Sequence, residues 1–179
     1  MRFIAQKIAG VFVVEADPHR DERGFFARIF CAEEFKKAGI DFATPQVNLS
    51  GNAKRHTLRG LHYQDAPYAE AKFVRAVRGR AFDVVVDLRQ GSATENEWIS
   101  VELDSRRMNG VFVPEGCAHG FLTLEDDTDV LYQMGRAFVE GHARGVRWND
   151  PAFAIAWPAA PTVISQRDAT YPDRPKTVR

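Results

Sequence analysis

The sequence predicts an all-β protein, a jelly-roll β-sandwich or barrel with a few short helices, on three observations. Short stretches with strand-like alternation recur along most of the chain, separated by Gly, Pro, Asn or Asp turn signals. Only one stretch reads clearly as a helix. No repeat, low-complexity run or linker divides the 179 residues, so a single domain spanning residues 1–179 is expected.

The elements follow in order. "MRFIAQKIAGVFVVEAD" holds an apolar stretch too short to span a bilayer and broken at Glu15, and it reads as strands rather than a signal peptide. "CAEEFKKAGI" (31–40) carries acids early, lysines late and Gly39 as a stop, the signature of a short helix. "KFVRAVRGRAFDVVVDLRQGS" reads as a hairpin turning near Gly79, with its second strand ending at Gln90-Gly91-Ser92. "EWISVEL" sets Ile99, Val101 and Leu103 on one face. "GVFVPEG" closes in a Pro-Glu-Gly turn, and "AHGFLTLEDDTDVLYQM" reads as another hairpin, turning through Glu125-Asp126-Asp127. The Pro- and Ala-rich "NDPAFAIAWPAAP" is expected to wrap the sandwich irregularly.

Composition narrows the function. With 24 basic and 24 acidic residues the formal net charge is zero, which gives no support for nucleic-acid binding. Cys31 and Cys117 stand in no metal-ligand spacing and make no disulfide framework. A reduced, cytoplasmic protein is therefore expected.

The chemistry concentrates in "HTLRGLHYQ" (56–64). In a flat strand Arg59 and His62 would point to opposite faces, but Gly60 between them permits a bulge that would turn both toward one cavity. The plainer reading makes His62 a core histidine and Arg59 a rim residue. A metal site is not expected: the HxH pair of a metal-binding barrel is here His62-Tyr63-Gln64, and His62 with His119 leaves a third ligand missing. A pocket without metal can still move protons, because imidazole accepts and returns them near neutral pH. Asp168, Lys72 and Tyr132 are candidate partners, though singly they read as a turn residue, a strand-edge lysine and half-buried core.

Together, "DERGFFARIF", "LRGLHYQ", "KFVRAVRGRAFDVVVDLR", "VFVPEGCAHGFLTL", "VLYQM" and "RGVRWNDPAFAIAWP" resemble the dTDP-4-dehydrorhamnose 3,5-epimerase family, in order from about Val11 to Asp168. The resemblance implies a cupin jelly roll, a homodimer, no metal and no cofactor. It implies a nucleotide-diphosphate sugar substrate, a 6-deoxyhexose with a ketone at C4, and no nucleic-acid or membrane partner. It puts the catalytic base on His62, the aspartate that orients it on Asp168, the facing acid on Tyr132 and the enolate donor on Lys72. Substrate contacts fall on Arg23 and Arg59 for the diphosphate, on His119, and on Phe26, Gln46, Asn48 and Phe138.

The base end departs from the family pattern. Ala27 and Arg28 stand where the family has an aromatic and a thymine-bonding glutamate, "QVNLS" replaces "QDNHS", and Ala137-Phe138 replaces Tyr-Tyr. A guanidinium in place of a carboxylate reverses the charge offered to the base, so cytosine and guanine stand as alternatives to thymine. Two other functions remain open from the residues: a ketoisomerase moving the carbonyl between C4 and C3, and a metal-free cupin that binds a sugar without chemistry.

Overall fold

The computed structural model describes residues 1–174. Strands β1 (Arg2–Ala5) and β2 (Phe12–Glu15) pair antiparallel, and β3 (His19–Asp21) with β4 (Gly24–Phe26) forms a separate two-stranded hairpin. Helix α1 (Ala32–Lys37) precedes eight longer elements or their short companions: β5 (Gln46–Asn52), β6 (Thr57–Gln64), β7 (Lys72–Arg78), β8 (Arg80–Asp87), β9 (Trp98–Asp104), β10 (Asn109–Val113), β11 (Cys117–Thr123) and β12 (Thr128–Met134). The chain closes with β13 (Ala143–Gly145), β14 (Val163–Ile164) and α2 (Gln166–Ala169). Between β13 and β14 the Pro- and Ala-rich segment forms no strand, as its composition predicts.

Two sheets result, in the orders β1-β2-β10-β7-β12-β5 and β13-β6-β11-β8-β9, with β14 added beside β6. Their inner faces meet in one cluster. Val74, Ala76, Val111 and Val130 come from the first sheet, and Ala81, Val85, Leu103 and Phe121 from the second, all buried. Each valine, leucine or phenylalanine among them contributes about 1.5–3 kcal/mol by leaving water, and the alternation of these strands has this burial as its cause.

The helix forms where its charges predict. Glu33 and Glu34 lie in the first turn and Lys36 and Lys37 in the last, complementing the helix dipole. Gly39 ends it at φ +81°, a conformation open to glycine. Phe35, fully buried, packs against Phe73, Phe42 and Phe112 and so covers one end of the first sheet's outer face.

Neither expected long hairpin forms. The turn at Gly79 joins β7 in the first sheet to β8 in the second, and Glu125-Asp126-Asp127 likewise joins β11 to β12 across the sandwich. Neither pair is hydrogen-bonded as neighbours. Alternation and turn residues fix where a strand stops, but the next strand's partner is chosen by long-range burial. These two corners hold the sheets face to face, and the cavity lies between them.

Candidate active site

β6 is where the site begins. Its register against β11 pairs His62 with His119 but Arg59 with Phe121, so three steps on β6 match two on β11. The extra residue is a bulge at Gly60, whose φ is +128°. Any larger residue would collide, because a Cβ there would lie 2.5 Å from the Gly120 Cα. The bulge puts Arg59 and His62 on the wall of one cavity of about 590 Å³.

The C-terminal segment supplies the partner of His62. β14 runs parallel to β6, with Val163 beside Thr57 and Ile164 beside Leu58. Ser165 then caps α2, its hydroxyl accepting from the Asp168 amide at 3.1 Å. That cap aims the buried Asp168 carboxylate back at β6, where Oδ1 lies 2.7 Å from His62 Nε2 and Oδ2 accepts from the Gly60 amide at 3.2 Å. Burial works to raise the Asp168 pKa, but the bonds from His62 and Gly60 outweigh it and hold the carboxyl below its ordinary value. An ionised carboxylate fixes the His62 tautomer with the proton on Nε2, which leaves Nδ1 with the free lone pair.

Tyr132 and Lys72 stand on the opposite wall, on β12 and β7 of the first sheet. Burial pushes the Tyr132 phenol well above its usual pKa, with Asp83 adding to the effect and Arg59 opposing it. At neutral pH it is a proton donor. Lys72 Nζ donates to the His62 carbonyl at 3.1 Å and pairs with Glu70 at 3.0 Å. Arg59 is braced by Asn52 Oδ1 at 2.8 Å.

The remaining residues named from the sequence divide. Asn48 lines the main cavity, and Gln46, Asn48 and Phe138 border a smaller adjoining recess of about 190 Å³. Gln46 Oε1 accepts from the Phe138 amide at 2.9 Å, tying strand to loop. His119 is buried behind the wall, with Nε2 2.7 Å from Asp83 Oδ2 and its ring edge-on to Tyr132 at 5.9 Å. Arg23 and Phe26 sit on the β3–β4 hairpin and do not line the cavity of their own chain. Arg28 is engaged by Glu34 Oε1 at 2.9 Å.

The structure adds residues that the sequence did not single out. Arg167 borders both cavities and Ser165 the larger one; the pattern "ISQRDATYP" held both, but only its aspartate stood out. Among the described residues, no group of three or more His, Cys, Asp or Glu side chains is placed to hold a metal ion. No helix among them is long and apolar enough to cross a membrane.

A double-sheet jelly roll with an imidazole–carboxylate pair on one wall and a protonated phenol on the other defines an isomerase of the acid–base kind. Its known relatives say which. The chain matches the family model of dTDP-4-dehydrorhamnose 3,5-epimerase over residues 5–174. A dTDP-4-dehydrorhamnose 3,5-epimerase of Sinorhizobium fredii is 40% identical over 173 residues, 96% of this chain and 89% of the relative. The crystal structure of the Bacillus anthracis enzyme of that name, with TDP and PPi bound, superposes with a TM-score of 0.94 at 33% identity, covering 97% of this chain and 99% of the other. A 3'-monoepimerase from Streptomyces bikiniensis, in complex with dTDP-quinovose, gives 0.88 at 36% identity, covering 94% and 85%. The chain belongs to the dTDP-4-dehydrorhamnose 3,5-epimerase family, and it is a nucleotide-sugar epimerase with a cupin-type fold.

Proposed function

We propose that the chain, folded as one domain, inverts C3, C5 or both of a nucleotide-diphosphate-linked 4-keto-6-deoxyhexose, with His62 as base and Tyr132 as acid. One observation carries this reading: the two groups line one cavity from facing sheets. A carbonyl at C4 acidifies the neighbouring C–H bonds. His62 Nδ1 takes the proton, Asp168 stabilises the imidazolium, and Lys72 donates to the O4 enolate. Tyr132 returns a proton from the opposite side, so configuration inverts. Arg59 and Arg167 are suited to the diphosphate, as guanidinium forks are.

Incubation with dTDP-4-keto-6-deoxyglucose in D₂O tests this, with C3 and C5 labelling read by NMR. Deuterium at one or both carbons with inversion is expected; a carbonyl that migrates to C3 would instead establish a ketoisomerase, and no labelling a binding protein. Tyr132→Phe should keep exchange at one carbon while net inversion stops, and full epimerisation by that variant would remove Tyr132 from the mechanism. Calorimetric competition among dTDP, CDP and GDP decides the base that Arg28 and Ala27 leave open.

In this reading the working unit is a cytoplasmic homodimer. Free Cys31 and Cys117 suit a reducing compartment. On the outer face of the first sheet Val47, Leu49 and Val77 are exposed, and Phe26 on the hairpin is 77% exposed. Buried Arg75 on the same face leaves Nε and Nη1 without an acceptor among the described residues. A second copy would cover that face and offer Arg23 and Phe26 to its neighbour's cavity. Leu49→Arg is expected to sediment as a monomer and to lose turnover; a wild-type monomer at micromolar concentration would refute the dimer.

A further inference from the structure

Lys72 is asked to present a donor to a transient anion, yet a lysine head on four rotatable bonds has no fixed direction of its own. Around this one, two groups supply the direction. Glu70 and Lys72 are 7% and 5% exposed, and Glu70 Oε1 lies 3.0 Å from Lys72 Nζ. The same ammonium donates to the His62 carbonyl at 3.1 Å. An ammonium has three N–H bonds. Two are consumed by Glu70 and by the strand that carries the base, and the third is left for the cavity that Lys72 lines.

Glu70 is itself held. Its Oε2 accepts from Gln64 Nε2 at 2.5 Å, and Gln64 Oε1 accepts from the Val139 amide at 2.8 Å. Gln64 Nε2 also donates to the Tyr68 carbonyl at 3.2 Å. Gln64 is thus the residue that stands where a metal-binding barrel of this kind would have its second histidine, and it spends its amide on a carboxylate and two main-chain segments. Both oxygens of Glu70 are fixed, one by the ammonium and one by an amide clamped to the loop after β12.

Stability does not require such a pair. Replacing a buried ion pair with apolar groups is often neutral or favourable, so its energetic worth gives no reason to bury a carboxylate on this wall. Its geometry does.

We propose that Glu70 is a positioning residue for the epimerase reaction, orienting Lys72 so that a single N–H faces the substrate O4. This rests on the epimerase reading above. Glu70 borders the smaller recess and not the main cavity that Lys72 lines; in this role it acts through the lysine, with Gln64 as its anchor.

The test compares wild type, Glu70→Gln, Lys72→Met and the double variant on dTDP-4-keto-6-deoxyglucose. Deuterium uptake and turnover are followed, with calorimetric binding of dTDP and thermal melts as controls. Glu70→Gln keeps the shape while removing the charge. It should lower kcat by about 100-fold, the scale of a misplaced catalytic group, with KM within threefold and dTDP affinity unchanged. On the Lys72→Met background, Glu70→Gln should cost less than threefold more, because a residue that acts only through the lysine has nothing left to orient. Glu70→Asp, which keeps the charge on a shorter arm, should recover part of the rate and serves in place of Glu70→Gln if that variant does not fold. Turnover within twofold of wild type for Glu70→Gln, or its full loss repeated in the Lys72→Met background, overturns the role. A wild-type protein that exchanges no deuterium overturns the epimerase reading, and this role with it.

Discussion

Asp168→Asn is expected to lower deuterium exchange at the substrate carbons by roughly 10³-fold, in the range measured when an acid–base pair is broken. The amide has nearly the carboxylate's shape, so the fold and dTDP binding should persist, the latter within about tenfold. What changes is the imidazole. Asp168 Oδ1 is 2.7 Å from His62 Nε2, and a neutral partner neither holds the Nδ1 lone pair toward the cavity nor stabilises the imidazolium that forms. His62→Ala should abolish exchange with binding similarly preserved. Exchange at the wild-type rate in either variant would move the base elsewhere. A second readout is acid stability. The folded-state pKa of Asp168 is depressed, so its contribution is fully present above the ordinary carboxylate pKa of about 3.9 and is lost as pH falls through the lower folded value. The stability gap between wild type and Asp168→Asn should therefore be present at pH 7 and close in strong acid.

Gly60→Ala is expected to cost about 4 kcal/mol or more, the scale of the most damaging single substitutions, and to yield little folded protein. Two effects add. The residue has φ +128°, a region that side chains rarely adopt. A Cβ there would also meet the Gly120 Cα at 2.5 Å and the His119 carbonyl oxygen at 3.0 Å. Those are main-chain atoms that cannot rotate aside, so β6 and β11 would have to separate. Gly141→Ala provides the comparison: its φ is +82° with nothing within 4 Å of the added Cβ, and it should cost only about 1–2 kcal/mol. Melting temperatures of the two variants decide. Equal losses would show that backbone conformation alone, and not the contact between the strands, sets the requirement for glycine at position 60. Since that contact fixes the bulge, any folded Gly60→Ala protein should also have lost the common facing of Arg59 and His62.

The sequence by itself determined the strands, the short helix and the place of an imidazole, His62, beside a glycine-marked irregularity in its strand. These are local properties. Alternation shows which face of a segment is buried, Glu33 through Lys37 show a helix's polarity, and Gly60 marks a place where a strand must depart from regular geometry. The order of motifs along the chain determined the family as well, since long runs such as "RGLHYQ" and "PEGCAHGF" match it without rearrangement.

The tertiary structure alone decided which strands are neighbours and which groups meet. The segments either side of Gly79 look like a hairpin in sequence but belong to different sheets. Alternating side chains record burial and not the identity of the covering surface. The same limit hid the burial of His119 against Asp83 and the hold of Gln64 on the Val139 amide. Each depends on strands brought together by long-range packing, and pairwise distances of that kind leave no periodic mark on the chain. Arg23 and Phe26 carry the point further, since a single copy places them away from its own cavity.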